Sequence, residues 1–390
     1  MKKWMAAAAG GCLVATGMAH AQSSVTLYGL IDEGLNYTNN VGGKRLIAMS
    51  SGDTQGSRWG LRGSEDLGGG AAAIFRLESG FNLNNGKLGQ QGRAFGRQAY
   101  VGLSSASYGT VTLGRQYDSV TDYLAGLTAN GNWGGGVFTH PYDNDNTDDT
   151  FRLNNAIKYA SRDYHGFSFG GMLAMSNGTS FGRNRAWSAG AQYQNGPLAL
   201  GAAYLQINDP NADAGGAVSI GPNGSPDGSW TARRQRIWGA GVNYTIGATT
   251  LGLSFIRTDL ANPTDTQYAN FAASPTLGAA SSIRFDNVEV NAKYQFAPAF
   301  YVGGMYTYTR ARFNGTSGRG ASPKYHQFGL MADYNLSKRT DVYVQAAYVL
   351  VANAASVAGT GLEFAANPDT AGPASTNRQV MARIAMRHKF

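Results

Sequence analysis

The sequence is short of cysteine, of charge and of long apolar runs, and each shortage removes a class of protein. Its one cysteine, Cys12, lies near the N-terminus, so the rest of the chain has neither disulfides nor thiol chemistry. Charged residues make up 14% of the chain, against roughly 25% in an average soluble protein. No run of about eighteen apolar residues follows Ala21, which excludes helical membrane spans beyond it. His20, His140, His165, His326 and His388 stand beside no nucleophile in a recognisable motif. With no Walker loop, dinucleotide fingerprint or metal-ligand spacing, the sequence implies no enzyme, no cofactor and no metal. The basic surplus, +8 in all, is spread along the chain rather than massed in a helix or tail, so nucleic acid is not an expected partner.

Several features are present instead. Lys2 and Lys3 precede a small and apolar run from Met5 to Met18 and then Ala19-His20-Ala21. This pattern predicts a Sec signal peptide over residues 1–21, cleaved after Ala21, and a single domain over 22–390. Glycine (54) and tyrosine (21) are abundant, and beyond Gln22 the chain is a succession of alternating segments. These are joined by tight Gly, Asp, Asn and Pro turns on one side and long polar loops on the other. Counting a first strand near Val25 to Asn36, seven hairpins and a last strand from Asn377 to Phe390 gives about sixteen strands. Many are of the 9 to 11 residues, or about that, which a tilted bilayer span needs. Three of the gaps, Asn208 to Arg234, Asp259 to Arg284 and Ala352 to Thr376, are long and rich in Gly, Ala, Pro, Asn and Asp. A chain of this composition can satisfy its backbone in lipid only as a closed barrel. The expectation is therefore an all-β transmembrane antiparallel barrel; a large soluble β-sandwich or adhesin is the alternative.

The faces support the barrel. Val288, Val290, Ala292, Tyr294 and Phe296 alternate with Glu289, Asn291, Lys293 and Gln295. In the last strand Val380, Ala382, Ile384, Met386, His388 and Phe390 oppose Met381, Arg383, Ala385, Arg387 and Lys389, an oily face against a cationic one. Tyr28, Trp59, Tyr100, Tyr159, Tyr193, Tyr244, Tyr294, Tyr334 and Tyr348 fall toward strand ends, where an interfacial aromatic girdle is expected.

Four stretches carry a family resemblance: VTLYGLID at Val25 to Asp32, SRWGLRGSEDLG at Ser57 to Gly68, RQAYVGL at Arg97 to Leu103 with LGRQY at Leu113 to Tyr117, and the terminal Phe390. Together they resemble the general trimeric porins of the Gram-negative outer membrane, of the β-proteobacterial type. The resemblance implies a sixteen-stranded barrel whose third long loop, about Asp118 to Asn154, folds into the lumen. It implies a homotrimer in contact with outer-membrane lipid and lipopolysaccharide, and small hydrophilic solutes and ions as the cargo. It also implies that the last strand, ending in Phe390, is read by the barrel assembly machinery.

In such porins an arginine cluster on the wall faces acidic residues on the loop. Matching by motif places Arg58, Arg97 and Arg152 in the cluster, and alternation adds Arg62 and Arg76. On the loop the expected pore-lining residues are Asp118 and Asp122 together with Thr128 and Asn132, which stand where cation-preferring relatives carry acids before Trp133-Gly134-Gly135. Keeping wall cations while thinning their counter-charges predicts an anion preference. Arg115 shares parity with Val111 and Leu113 and is expected to face outward, toward a buried partner at the subunit interface. The cluster from Asp143 to Asp149 fails the calcium-loop pattern, since Asp148 and Asn154 stand where Gly and Glu are needed, and it is read as a solvated polar loop. The second functional reading is a barrel acting as adhesin or phage receptor through its external loops.

Overall fold

A computed structural model of the protein describes residues 24–390. The expected signal peptide and the new N-terminus at Gln22 lie outside the described residues. Period-two alternation is satisfied by closing the long strands into one ring, apart from a short two-stranded pairing of Trp230–Thr231 with Asp265–Thr266 in the loops. The barrel strands are β1 (Ser24–Val41), β2 (two segments, Lys44–Ser51 and Arg58–Gly68), β3 (Ala71–Gly80), β4 (Gln98–Ser105), β5 (Gly109–Gln116), β6 (Leu153–Ala160), β7 (Phe167–Ala174) and β8 (Ala186–Asn195). They continue as β9 (Leu198–Asn208), β10 (Arg234–Ile246), β11 (Thr249–Ala261), β12 (Ala280–Ala297), β13 (Phe300–Gly315), β14 (Lys324–Asn335), β15 (Thr340–Ala352) and β16 (Arg378–Lys389). Neighbours in sequence pair antiparallel throughout, and β16 returns to β1 with Ile31 opposite His388 and Tyr37 opposite Ala382, so the 16 strands form a closed barrel. Among the described residues, closure leaves the barrel itself without an edge strand, as lipid demands.

Sequence alternation finds each of the 16 barrel strands but misses the first half of β2, Lys44–Ser51, and the short strands in the loops. The reason is local. Residues 52–57 leave the ladder, and Gly52 (φ 91°) turns the chain inward before Arg58 resumes pairing with Leu30. The seam is finished by a reciprocal backbone pair between Gly29 and Phe390, at 3.0 and 3.1 Å. The Phe390 ring lies over Gly29, where a Cβ would approach it to 2.2 Å. Only a glycine leaves that ring its place.

Leu253, Val290, Leu330 and Ile384 on the outer face are exposed, as a lipid-facing surface requires. Tyr294, Phe296 and Tyr334 form part of an aromatic belt near the short turns. Tyr28 and Tyr100 do not belong to it. Tyr28 turns inward to Glu78 and Arg76, and Tyr100 lines the lumen, because both share the parity of the polar face. At the long-loop end the barrel holds a true hydrophobic core, with Tyr142 from the inward loop packed among Trp230, Phe285, Phe313, Tyr325 and Leu362.

Candidate functional site

Residues 117–152, between β5 and β6, run across the lumen instead of outside it. Asp118 starts the inward loop by capping the helix α1 (Ser119–Tyr123), accepting from the Val120 backbone N–H at 2.7 Å. The helix leans on β7 to β9, where glycines make the space: a Cβ on Gly190 or Gly201 would fall within 2.6 or 2.2 Å of Tyr123. Farther along, Gly303 accommodates the Trp133 ring and Gly329 the Phe138 ring in the same way.

Polar groups on the far wall then fasten the loop. Glu289 on β12 accepts from the Ala129 backbone at 2.8 Å and meets His140 Nε2 at 3.2 Å, while His140 Nδ1 lies 2.6 Å from Asp145. Asn287 donates to Asn144 and Asp145, Gln235 donates to the Asn144 carbonyl, and Gln345 donates to the Gly134 carbonyl. Burial opposes a charged His140, but Asp145 and Glu289 outweigh it and push the imidazole up to about 10. The ring is therefore an imidazolium at neutral pH, clamped between two carboxylates.

The loop lies against β8 to β15 and leaves an opening of about 860 Å³ facing β2 to β6. On the wall, Arg76 donates to Tyr28 and to Glu78, both at 2.6 Å. Arg97 bonds Glu78 at 2.9 Å and the Tyr117 hydroxyl at 2.8 Å. Arg152 bonds Tyr117 and, at 2.7 Å, Asp149. Arg58 donates only to the Gly56 carbonyl and has no carboxylate partner among the described residues. Arg62 is on the same face, its guanidinium 5.5 Å from the Tyr28 ring centre, but lies outside the narrowest part.

The structure thus brings Arg58, Arg76, Arg97 and Arg152 together around the opening, with Asp122 and Asn132 across from them. Two expected loop residues are elsewhere. Asp118 is fully buried, held by Val120 and Asn146, because the cap consumes its carboxylate; burial pushes it up to about 6. Thr128 is also buried, donating to the Ala125 carbonyl as the loop turns, so neither lines the channel.

Sequence reasoning missed Lys158, Lys293, Arg387 and Lys389, which also border the opening. The signal was available: Lys293, Arg387 and Lys389 all stand on faces identified as polar. Eight cationic side chains line the opening against six acidic ones. Asp122 is paired with Lys158, and Asp149 with Arg152. Asp148 and Asp369, by contrast, are held well above the usual carboxylate range by burial and by neighbouring acids.

Two further expectations need correction. The buried partner of Arg115 belongs to this chain: Asp227, in the loop between β9 and β10, approaches Nη1 at 2.9 Å, with Gly96, Arg152 and Asn154 as further acceptors. A bulge beside Gly114 (φ 135°) allows the side chain to reach that loop. The stretch from Asp143 to Asp149 is mostly a buried knot rather than a solvated loop. Asp143 accepts from the Asp148 and Thr150 backbones, and Asp145 is consumed by His140, Thr147 and Asn287.

A closed barrel with a charged aqueous lumen narrowed by its own loop is a membrane channel. A match to the Gram-negative porin family extends over residues 5–353, and the chain belongs to that family. It is 33% identical to an outer membrane porin protein of Bordetella pertussis, over 89% of this chain and 94% of the relative. It is 28% identical to outer membrane porin protein 32 of Delftia acidovorans, over the full length of both. Among solved structures, the anion-selective porin from Comamonas acidovorans shares the fold with a TM-score of 0.70 at 23% identity, covering 95% of this chain and 100% of that one. The protein is an outer-membrane porin, a passive diffusion channel.

Proposed function

We propose that the channel prefers anions, and that Arg58, Arg76, Arg97 and Arg152, with Lys158 opposite Asp122, set the preference. The observation that carries this reading is the imbalance at the opening: among the described residues Arg58 has no carboxylate partner and Lys293 meets only the Tyr301 ring, while Glu78, Asp149 and Asp122 are paired with Arg97, Arg152 and Lys158, and burial holds Asp148 and Asp369 well above the usual carboxylate range. A low-dielectric wall focuses the remaining positive field on passing ions. The anion selectivity of the structurally similar Comamonas acidovorans porin agrees with it. Asn132 faces the opening without charge and does not offset it.

The proposal includes a homotrimer, in keeping with a trimer form described for the structurally similar Vibrio cholerae outer membrane protein. The reading assigns the neighbourhood of Arg115 to a subunit boundary and makes Phe390, whose backbone pairs with Gly29 at the seam, the residue read during assembly. Lipopolysaccharide is the outer-leaflet neighbour, and no catalytic role is assigned. The refolded chain in a planar bilayer across a salt gradient tests the reading: conductance steps in groups of three and an anion-favouring reversal potential are expected. A cation-favouring reversal potential would remove the proposed selectivity.

A further inference from the structure

On the outer face of β10 to β13, the apolar surface ends in a belt of arginine. Leu251, Leu253 and Phe255 lead along β11 to Arg257, whose guanidinium lies 5.3 Å from the Trp238 ring centre. The next outward residue, about 7 Å farther toward the long loops, is Asp259. In register with it stand Arg236 on β10, Arg284 on β12 and Arg312 on β13, one continuous row across four strands. On β12, Arg284 of the row lies ten positions from Tyr294 of the lower belt, and at about 3.4 Å per residue and a tilt of roughly 40° this spans about 26 Å, close to the apolar height of an outer-membrane barrel. The row therefore lies at the level of the outer-leaflet headgroups.

The chemistry of the row is unbalanced. Arg284 Nε meets Asp259 at 2.7 Å and Arg312 reaches Asp286 only at 3.6 Å. Arg234 and Arg236 have no carboxylate within salt-bridge distance among the described residues, and Arg236 Nε is buried without a partner. Arg284 and Arg312 are directly opposed across the strands, an arrangement that costs stability unless an anion lies between them. These four arginines, with Asp259, surround a hollow of about 350 Å³ open to the exterior of the barrel. Arg236, whose Nε is left without a partner, and Arg284 both line it, and planar guanidinium groups suit bidentate contact with phosphate oxygens.

We infer that this hollow binds the phosphate of an outer-leaflet lipid headgroup, with the acyl chains lying down the apolar face over Leu253 and Val290. The inference rests on the outer-membrane porin reading and gives its lipid contact a site. The test uses the folded, full-length assembly in detergent and measures retention of bisphosphorylated lipid A by native mass spectrometry. Dephosphorylated lipid A and inorganic phosphate serve as the two comparison probes. Retention falls about ten-fold for each of Arg236→Gln and Arg284→Gln, and Asp259→Asn raises it. Dephosphorylated lipid A binds the wild type no better than the phosphorylated form binds the double variant, and millimolar phosphate does not compete.

Equal retention by all variants overturns the inference, as does a drop with Asp259→Asn. Displacement by free phosphate reduces the site to an anion pocket without lipid and also overturns it. A change of assembly size with lipid retention unaltered would assign the surface to another copy of the chain instead. Conductance recorded on the same preparations keeps failure of this site distinct from failure of the porin reading.

Discussion

Replacing His140 with alanine strips two buried carboxylates, Asp145 and Glu289, of the cation between them. All three side chains are fully buried, and the contacts are 2.6 and 3.2 Å. Raising an imidazole from 6.5 to about 10 corresponds to about 5 kcal/mol at 1.36 kcal/mol per pH unit. Breaking a buried ion pair by removing one partner typically costs about 3–5 kcal/mol, and because the carboxylates can protonate, the lower figure applies. The barrel does not unfold for this amount, since its ladders are untouched; the cost falls on the loop. Local opening of residues 129–146 should become easier by about 100-fold, read as lost amide protection in hydrogen exchange and as added open-channel noise. The sign of the pH effect follows from the raised value. The stabilisation is fully present below about pH 6.5 and fades as pH rises through about 10, so the wild-type loop should loosen on the alkaline side. Unchanged amide protection in His140→Ala would refute the clamp, and so would loosening of the wild-type loop on mild acidification.

Three other changes separate the account from simpler ones. Asp118→Ala removes a helix cap, costing about 1 kcal/mol, and should leave the reversal potential where it was; a shift toward anions would show that Asp118 lines the channel after all. Asp122→Asn frees Lys158 and should strengthen the anion preference, measured by reversal potential, whereas a weakened preference contradicts the pairing of the two side chains. Gly29→Val drives a side chain into the Phe390 ring and the seam, so the heat resistance of the folded band on gel electrophoresis should fall; wild-type resistance would mean that the ring is not needed for closure.

Much of the molecule is legible in its sequence because a barrel has one rule, alternation, applied sixteen times. That rule puts Glu289, Asn291 and Lys293 on an inner face, and two of them serve as the loop clamp and the channel border. Failures occur where the rule stops. Asp118 and Thr128 lie in irregular backbone, where capping and local turns decide which way a side chain points. The acidic stretch from Asp143 to Asp149 looks solvated because its partners, His140, Asn287 and its own backbone, come together only once the loop has crossed the lumen. Parity alone turns Arg115 outward, but a bulge and a distant loop supply a partner that no local pattern could show. Tyr28 goes astray for another reason: its type and place near a strand end suit the girdle, but its parity is that of the polar face, where Arg62 and Arg76 lie against its ring.

The measurement that bears most directly on the central claim is the reversal potential of Arg58→Ala beside that of Arg310→Ala. Both remove one positive charge, but Arg58 borders the opening without a carboxylate partner among the described residues, while Arg310 projects from the outer face of β13. The account predicts a shift away from anions for Arg58→Ala and none for Arg310→Ala. Identical reversal potentials in the wild type and Arg58→Ala, or equal shifts in both variants, would contradict it.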